Sequence, residues 1–295
     1  MSGWRREREA LDARIETGRA HAAGKVVAAA AVVDLLEAIL RPGDRVCLEG
    51  DNQKQADCLA RGLSQCDPGR VHDLHMVQSG IVLPEHLDIF EQGIARRLDY
   101  SYSGPQGGRI ARMLYGGQIE LGAVHTYLEL FARYFVDLTP NVALIAGVSA
   151  DREGNLYTGP NTEDTPTVVE ATAFKNGVVV AQVNEIVERV PRVDIPGDRI
   201  DFVVEADKPF YVEPLFTRDP AAMTETQILM AMMAIKGIYA EYGIRRLNHG
   251  IGFGTAAIEL LLPTYAERLG LKGEIATHWA LNPHPTLIPA IESGW

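Results

Sequence analysis

Short apolar segments alternate with segments of helical periodicity along much of this chain. Strand-like runs lie at residues 45–48, 71–77, 99–102, 142–148, 178–183 and 200–204. Helical spacing follows or precedes them at residues 27–40, 55–63, 87–97, 109–115 and 168–174. Strands that alternate with helices are typical of an α/β fold. The sequence therefore predicts an open, largely parallel sheet with connecting helices.

The periodicity breaks at residues 209–220, where prolines and mixed charges replace it. A strong helix is predicted over 224–242, followed by a glycine-rich loop, a helix over 257–269 kinked at Pro263, and a short strand over 271–275. We expect an N-terminal arm at 1–24, an α/β domain at 25–215, and the first part of a second α/β domain at 216–295. Because only about 75 residues follow the break, we expect that second domain to be truncated.

Composition excludes several classes of function. The net charge of −11 argues against a general nucleic-acid-binding surface. No run reaches the roughly 18 apolar residues of a membrane span, and the N-terminus lacks a secretory apolar region. The cysteines, Cys47, Cys58 and Cys66, are odd in number and lack metal-type spacing, as do the histidines. We expect a cytoplasmic protein with reduced thiols and without a metal site.

Polar residues follow the predicted strands where an open α/β sheet usually has its site. The segment 49–55 (EGDNQKQ) offers amide donors and Lys54, although a solvated turn that caps the next helix explains it equally well. Asn184 follows another buried strand and either points into the same cleft or is solvated. The long polar loop 157–166 contains Asn161, and its Asp164 or Thr165 also suits a helix N-cap. The candidate polar wall is Asn52, Gln53, Asn161 and Asn184.

The loop at residues 248–257 (NHGIGFGTAA) places glycines at alternate positions. Glycine lets a ligand approach the backbone closely, and Thr255 offers a cap to the helix that follows. Exposed N–H groups there would suit an anion or a developing oxyanion. A generic tight turn is the alternative. A dinucleotide-binding fingerprint is a poorer one, because Thr255 stands where glycine is needed when the motif is counted from Gly250.

Glu274 follows a glycine in the predicted strand 271–275. A carboxylate at such a position can attack a thioester and form an anhydride. The alternative is an exposed glutamate on an edge strand.

Several motifs, in this order, resemble the coenzyme A-transferase superfamily. They are DLTPNVALI (137–145), DREG (151–154), AQVN (181–184) with PR (191–192), DFVVE (201–205), GIG (250–252) and GE (273–274). The resemblance implies two α/β domains that enclose an acyl-CoA, and a glutamate that forms covalent adducts. Glu274 is the matching position here.

Longer motifs are similar to one family within that superfamily, the α subunits of malonate decarboxylase. They are EGDNQKQAD (49–57), HTYLELFARYF (125–135), NLYTGPNTEDTP (155–166) and HWALNPHPT (278–286). The resemblance implies an acyl carrier protein (ACP) transferase that converts acetyl-S-ACP and malonate into malonyl-S-ACP and acetate. It also implies partner carrier and decarboxylase subunits. The cofactor would be a phosphoribosyl-dephospho-CoA arm on the carrier, with none attached to this chain.

In this interpretation the polar wall binds the malonate dianion. Gly250, Ile251 and Gly252 supply N–H groups to the thioester or its arm, and Glu274 is the catalytic nucleophile. One alternative is a CoA-transferase or acyl-CoA hydrolase that acts on free CoA thioesters. The others are a non-catalytic module that docks the carrier and, more remotely, a dinucleotide-binding domain.

Overall fold

The computed structural model describes residues 3–51, 53–214, 219–281 and 285–295. The chain forms two compact units, Met1–Val212 and Glu213–Trp295. Each unit has its own hydrophobic core and is described by itself.

The first unit is built on an eight-stranded sheet. The strands of this unit are β1 (Val26–Ala28), β2 (Arg45–Leu48), β3 (Leu74–Gly80), β4 (Ala95–Tyr102), β5 (Glu120–Val124), β6 (Val142–Ala146), β7 (Ser149–Ala150), β8 (Leu156–Tyr157), β9 (Val178–Val183), β10 (Glu185–Ile186) and β11 (Phe202–Glu205). The large sheet has the order β1-β11-β9-β6-β2-β3-β4-β5, and all its neighbouring strands are parallel. Strands β10, β7 and β8 form a separate small sheet. The predicted parallel α/β fold is confirmed.

Helices cover both faces of the large sheet. They are α1 (Gly3–Arg19), α2 (Val32–Ile39), α3 (Asp57–Ser64), α4 (Glu85–Glu91), α5 (Gly107–Tyr115), α6 (Tyr127–Val136) and α7 (Thr165–Phe174). In β2, Val46 and Leu48 pack into the core under α2 to α5, while Cys47 packs into the core under α6 and α7. Both faces of the strands are therefore apolar, as a buried parallel sheet requires.

Three element predictions were wrong, and one strand was missed. The helix predicted over 27–40 begins as β1, because residues 26–28 pair with β11, and only α2 is α-helical. The helix predicted over 87–97 ends at Glu91, since the chain enters β4 at Ala95. Edge strand β5 was not predicted. Residues 271–275 form a turn, in which Gly273 has a φ of +81°, and not a strand.

The segment expected to be an arm contains an ordered helix. Leu11 of α1 is 6% exposed and belongs to the core of the first unit. The Nη1 and Nη2 atoms of Arg14 donate to the carboxylate of Asp44, at 3.0 and 2.8 Å. These contacts attach α1 to the loop that precedes β2.

The second unit is smaller. It contains α8 (Glu225–Ala234), β12 (Arg246–His249), α9 (Phe253–Leu261), β13 (His278–Leu281) and α10 (Ile288–Glu292). Strands β12 and β13 are parallel. Thr224 and Gln227 form a reciprocal capping box at the start of α8. After α9 the chain continues as a π-helical turn, Leu262–Ala266, at the predicted kink around Pro263.

Among the described residues, no helix combines the length and apolar character needed to cross a lipid bilayer.

Candidate functional site

A buried polar cluster lies at the carboxyl end of the parallel sheet, directly after β2. Glu49 is 3% exposed and Lys54 is 1% exposed, and Lys54 Nζ lies 3.0 Å from Glu49 Oε1. The hydroxyl of Thr165, the first residue of α7, hydrogen bonds with both of these side chains. The other Glu49 oxygen accepts from the backbone N–H of Ala146 at 2.7 Å. The cluster thus ties β2 to β6 and to α7.

The loop between β2 and α3 turns back on itself and directs Lys54 inward. Asp51 Oδ1 accepts from the backbone N–H of Lys54 at 2.7 Å and also from that of Gln53. The N–H of Asp51 donates to the carbonyl of Lys54 at 2.9 Å. Burial raises the pKa of Asp51, although its hydrogen bonds from these backbone groups oppose the shift. This local turn explains how a lysine, normally a surface residue, becomes buried.

Asp164 precedes α7 and faces the same cluster. It is 2% exposed, and burial together with the charge of Glu49 raises its pKa to about 7. Lys54 and a hydrogen bond with Ser79 oppose that shift. Its Oδ1 atom has no hydrogen-bond partner among the described residues. The surroundings of Asp164 therefore favour its protonated form.

The side-chain amide of Asn161, in the loop before α7, has no hydrogen-bond partner among the described residues. The residue is fully buried, and neither its Nδ2 nor its Oδ1 atom has a partner within the part of the chain that the structure describes. An unsatisfied buried amide is costly, so its retention calls for an explanation. A side chain that offers both a donor and an acceptor suits a carboxylate or a carbonyl ligand.

Tyr127, which is near this cluster, and its neighbour Tyr102 are both partly exposed. Tyr127 is 43% exposed, and its pKa is raised to about 12 by partial burial and by the charges of Asp51 and Asp164. Tyr102, 42% exposed, lies close enough to Tyr127 to contribute to the same shift. Beneath the cluster, burial and the charge of Asp164 raise the pKa of the Cys47 thiol well above its usual value. Cys47 is therefore unsuited to act as a thiolate nucleophile.

The structure brings together two of the segments predicted to form the polar wall. Gln53 is 3% exposed, and its neighbour Lys54 places Nζ 3.5 Å from the carbonyl of Thr162, the residue after Asn161. The loops of Gln53 and Asn161 are therefore adjacent. Asn52 lies outside the described residues.

Asn184, the fourth predicted wall residue, is engaged elsewhere. Its Nδ2 donates to the carbonyl of Phe210 and its Oδ1 accepts from the N–H of Phe210, both at 2.8 Å. Both amide atoms thus hold the segment that follows β11.

The glycine loop lies at the carboxyl end of β12 and leads into α9. Gly250, Gly252 and Gly254 all lie outside the left-handed region, and a Cβ atom built on any of them would meet no described atom within 4 Å. Neither backbone conformation nor packing among the described residues requires glycine there. Ile251, between them, is half-buried. The loop is therefore open to a close approach from outside.

The hydroxyl of Thr255 does not cap α9 as predicted. It donates to the carbonyls of Gly250 and Gly252, at 2.9 and 2.8 Å, and so closes the loop. Gly252 is the residue that precedes α9.

Glu274 lies at the other end of the β12–β13 pair. Its side chain is 69% exposed, and Oε2 lies 3.4 Å from Arg245 Nη2, just before the first residue of β12. The glycine loop follows the last residue of that strand. At about 3.3 Å per residue, the strand separates the two by roughly 10 Å or more of backbone. The structure does not bring Glu274 and the glycine loop together.

A buried network beside the glycine loop was not predicted. His249 Nδ1 lies 2.9 Å from Glu259 Oε1, and His249 Nε2 lies 3.1 Å from the hydroxyl of Tyr239. The hydroxyl of Thr286 donates to the second oxygen of Glu259 at 2.5 Å. A glutamate within the apolar run of α9 was the available signal, because an ionisable residue in such a run is rarely buried without partners.

Comparison with known proteins connects these features to one family. The sequence model of the family described as "Malonate decarboxylase, alpha subunit, transporter" matches residues 3–295. The acetyl-S-ACP:malonate ACP transferase of Malonomonas rubra is 64% identical over 271 residues, which are 92% of this chain and 49% of that protein. This chain therefore spans about half the length of the curated relative that it matches.

Solved structures give the same relationship. A Pseudomonas malonate decarboxylase hetero-tetramer, crystallised in complex with malonate, contains a chain with 61% identity and a TM-score of 0.82. The match covers all of this chain and 54% of that one. An acyl-CoA transferase from E. coli O157:H7 shares 14% identity at a TM-score of 0.60, over 87% of this chain and 64% of its own. At that identity the likeness concerns the fold alone, and it confirms the predicted CoA-transferase-like architecture.

Proposed function

Because the chain belongs to the malonate decarboxylase α-subunit family, we propose that it transfers the ACP thioester from acetate to malonate. Acetyl-S-ACP and malonate become malonyl-S-ACP and acetate. The whole-protein activity comes from relatives about twice as long as this chain. The proposal for this chain therefore depends on the residues of its own candidate site.

The uncommitted amide of Asn161 is the observation that carries the proposal. Asn161 and Gln53, with Asn52 as a further member of the wall, bind the carboxylates of malonate, whereas the amide of Asn184 is engaged with Phe210. Lys54 contributes a positive charge beside them, although Glu49 already neutralises part of it. Amide donors around one cation are suited to a dianion in an otherwise acidic protein.

The glycine loop serves the thioester. Gly250, Ile251 and Gly252 present backbone N–H groups to the thioester carbonyl or to the arm that carries it. The open space in front of all these glycines supports that assignment.

Glu274 is the proposed nucleophile by its match to the superfamily motif. Its exposed carboxylate is accessible to a thioester carried by another protein. Attack on the acyl carbonyl would form an acyl-glutamyl anhydride and release the carrier thiolate. The alternative is direct attack by malonate, which the position of Glu274 away from the glycine loop favours.

The thioester arm belongs to a partner. We propose that the phosphoribosyl-dephospho-CoA group is attached to an ACP subunit, and that decarboxylase subunits act on the malonyl product. The hetero-tetrameric Pseudomonas relative supports an assembly with other subunits.

Acyl exchange tests the proposal. The protein, assembled with its partner subunits, is incubated with isotopically labelled malonate and either acetyl-ACP or acetyl-CoA. We expect labelled malonyl-ACP, or the labelled acetyl-ACP and CO2 that the decarboxylase subunits form from it, with the first donor and little product with the second. Preference for acetyl-CoA would instead indicate a transferase for free CoA thioesters, and binding of ACP without exchange would indicate a docking module.

Two substitutions locate the chemistry. Asn161→Ala is expected to lower kcat/KM for malonate by about 10- to 100-fold, the loss of a hydrogen bond to a charged group. Gln92→Ala, an exposed amide at the end of α4, is the matched control. Glu274→Ala abolishes exchange if the glutamate is the nucleophile, whereas full turnover assigns the attack to malonate itself.

A further inference from the structure

The polar cluster after β2 contains more carboxylates than cations. Glu49, Asp51 and Asp164 are each at most 8% exposed, and Lys54 is the cation buried with them. Lys54 forms its ion pair with Glu49, and Asp51 accepts two backbone hydrogen bonds. Asp164 has neither arrangement. Among these three carboxyl groups, Asp164 is the one with a buried oxygen, Oδ1, that has no described partner; Oε2 of the adjacent Glu163 is likewise without one.

The ionisable and polar groups around Asp164 come from every element packed against it. They are Cys47 in β2, Glu49 directly after that strand, Asp51 and Lys54 of the following loop, Ser79 of β3, Tyr127 and Tyr134 of α6, and the adjacent Glu163. Lys54 is the cation within this set. An additional anion at this edge therefore meets a predominantly negative surrounding.

We propose that a carboxylate ligand binds at this wall together with one proton, and that Asp164 holds that proton. The inference rests on the proposed function, which places malonate at Asn161 and Gln53. An ionised Asp164 would repel the ligand across a medium of low dielectric constant. Protonation removes that repulsion and turns Oδ1 into a donor.

The proton balance is simple. Solvent supplies one proton, the Asp164 carboxylate becomes a carboxylic acid, and its O–H donates to a ligand carboxylate oxygen. Ser79 keeps its hydrogen bond with Asp164. The site is already close to this state in the free protein, since burial and Glu49 raise the pKa of Asp164 to about 7. Release of the product anion returns the proton to solvent.

Isothermal titration calorimetry of malonate binding tests the inference without relying on turnover. The assembled protein is titrated at pH 8 in two buffers that differ in ionisation enthalpy, such as phosphate and Tris. Malonate is fully ionised there, so the difference in observed enthalpy counts the protons that the protein takes up. We expect close to one proton per malonate, and a Kd that rises nearly tenfold per pH unit between pH 8 and 9.

Two variants identify the group. Asp164→Asn keeps a polar side chain before α7 and is expected to bind malonate with no proton uptake and with a Kd independent of pH. Asp51→Asn is expected to retain uptake of one proton. Wild-type binding without proton uptake, or unchanged uptake in Asp164→Asn, would overturn this inference but leave the proposed function standing. A wild type that binds no malonate would overturn the proposed function as well.

Discussion

Lys54 Nζ lies 3.0 Å from Glu49 Oε1, and both side chains are almost completely buried where β2 ends. Each charge has lost its hydration and depends on the other for compensation. The Thr165 hydroxyl and the Ala146 N–H provide further hydrogen bonds to Glu49. The pair therefore organises the loop that precedes α3 as well as the start of α7.

Removing one member of this pair is expected to be strongly destabilising. Lys54→Met should lower the free energy of unfolding by about 3–5 kcal/mol, because Glu49 is left buried without a cation. The double variant Glu49→Gln/Lys54→Met should recover part of the loss, since it removes both charges. Urea denaturation followed by circular dichroism measures both values. A single variant within about 1 kcal/mol of wild type would contradict a buried, mutually dependent pair.

The position of this site was easier to predict from the sequence than the contacts of its side chains. Residues 49–55 were predicted as a site because they follow a strand, and Gln53 and Asn161 of the loop at 157–166 were assigned to one polar wall. The structure places those two loops side by side. The burial of Lys54 was not predictable, because it depends on the turn around Asp51 and on partners more than 90 residues away. Asn184 illustrates the converse, since its strand-end position did not reveal its hydrogen bonds with Phe210.

The central strands were predictable for a physical reason that does not apply at the edges. Strands β2 and β9 have buried residues on both faces, so their mainly apolar runs predicted the observed bounds. Edge strands β1 and β5 are short and partly exposed, and they resemble helix or loop in composition. Their pairing with β11 and β4 is decided by tertiary contacts that periodicity does not encode.

Acid sensitivity is expected from Asp99, which bridges two histidines. Its carboxylate oxygens lie 2.7 Å from His75 Nε2 and 2.8 Å from His125 Nε2. Burial alone would raise the pKa of Asp99, but the hydrogen bonds and charges of both histidines outweigh burial and hold it at about 2. This is below the ordinary value of about 3.9. The stabilisation is therefore complete above about pH 4 and is lost as the pH falls towards 2.

Asp99→Asn should reveal that dependence. At pH 7 we expect a loss on the order of 1–2 kcal/mol in the free energy of unfolding. The difference from wild type should shrink as the pH falls from about 5 to about 2, because wild-type Asp99 then becomes protonated. Urea titrations at a series of pH values measure the difference. A gap that is constant across this range would exclude Asp99 as its source.

Two glycines are expected to have different roles: packing requires Gly80, whereas Gly250 is proposed to let a ligand approach the backbone. A Cβ on Gly80 would lie 2.6 Å from the carbonyl oxygen of Gly50 and 3.1 Å from Asp51 Cα, and backbone atoms cannot move aside cheaply. Gly80→Ala should therefore destabilise the first unit by about 1–3 kcal/mol. Gly250→Ala meets open space and should leave the melting temperature unchanged while raising KM for the acyl-ACP donor. Equal thermal stability of both variants would contradict the packing role of Gly80.

The second unit should respond to the loss of Glu259, whose carboxylate accepts from His249 and Thr286 in the interior. Glu259→Ala leaves both donors without that acceptor, and about 2–4 kcal/mol of local stability should be lost. Hydrogen–deuterium exchange with mass spectrometry should show faster exchange across β12 and α9. Glu267→Ala, an exposed carboxylate 3.9 Å from Lys272, is the matched control and should leave that exchange unchanged. Unaltered protection of β12 in Glu259→Ala would show that the network does not hold the strand that leads into the glycine loop.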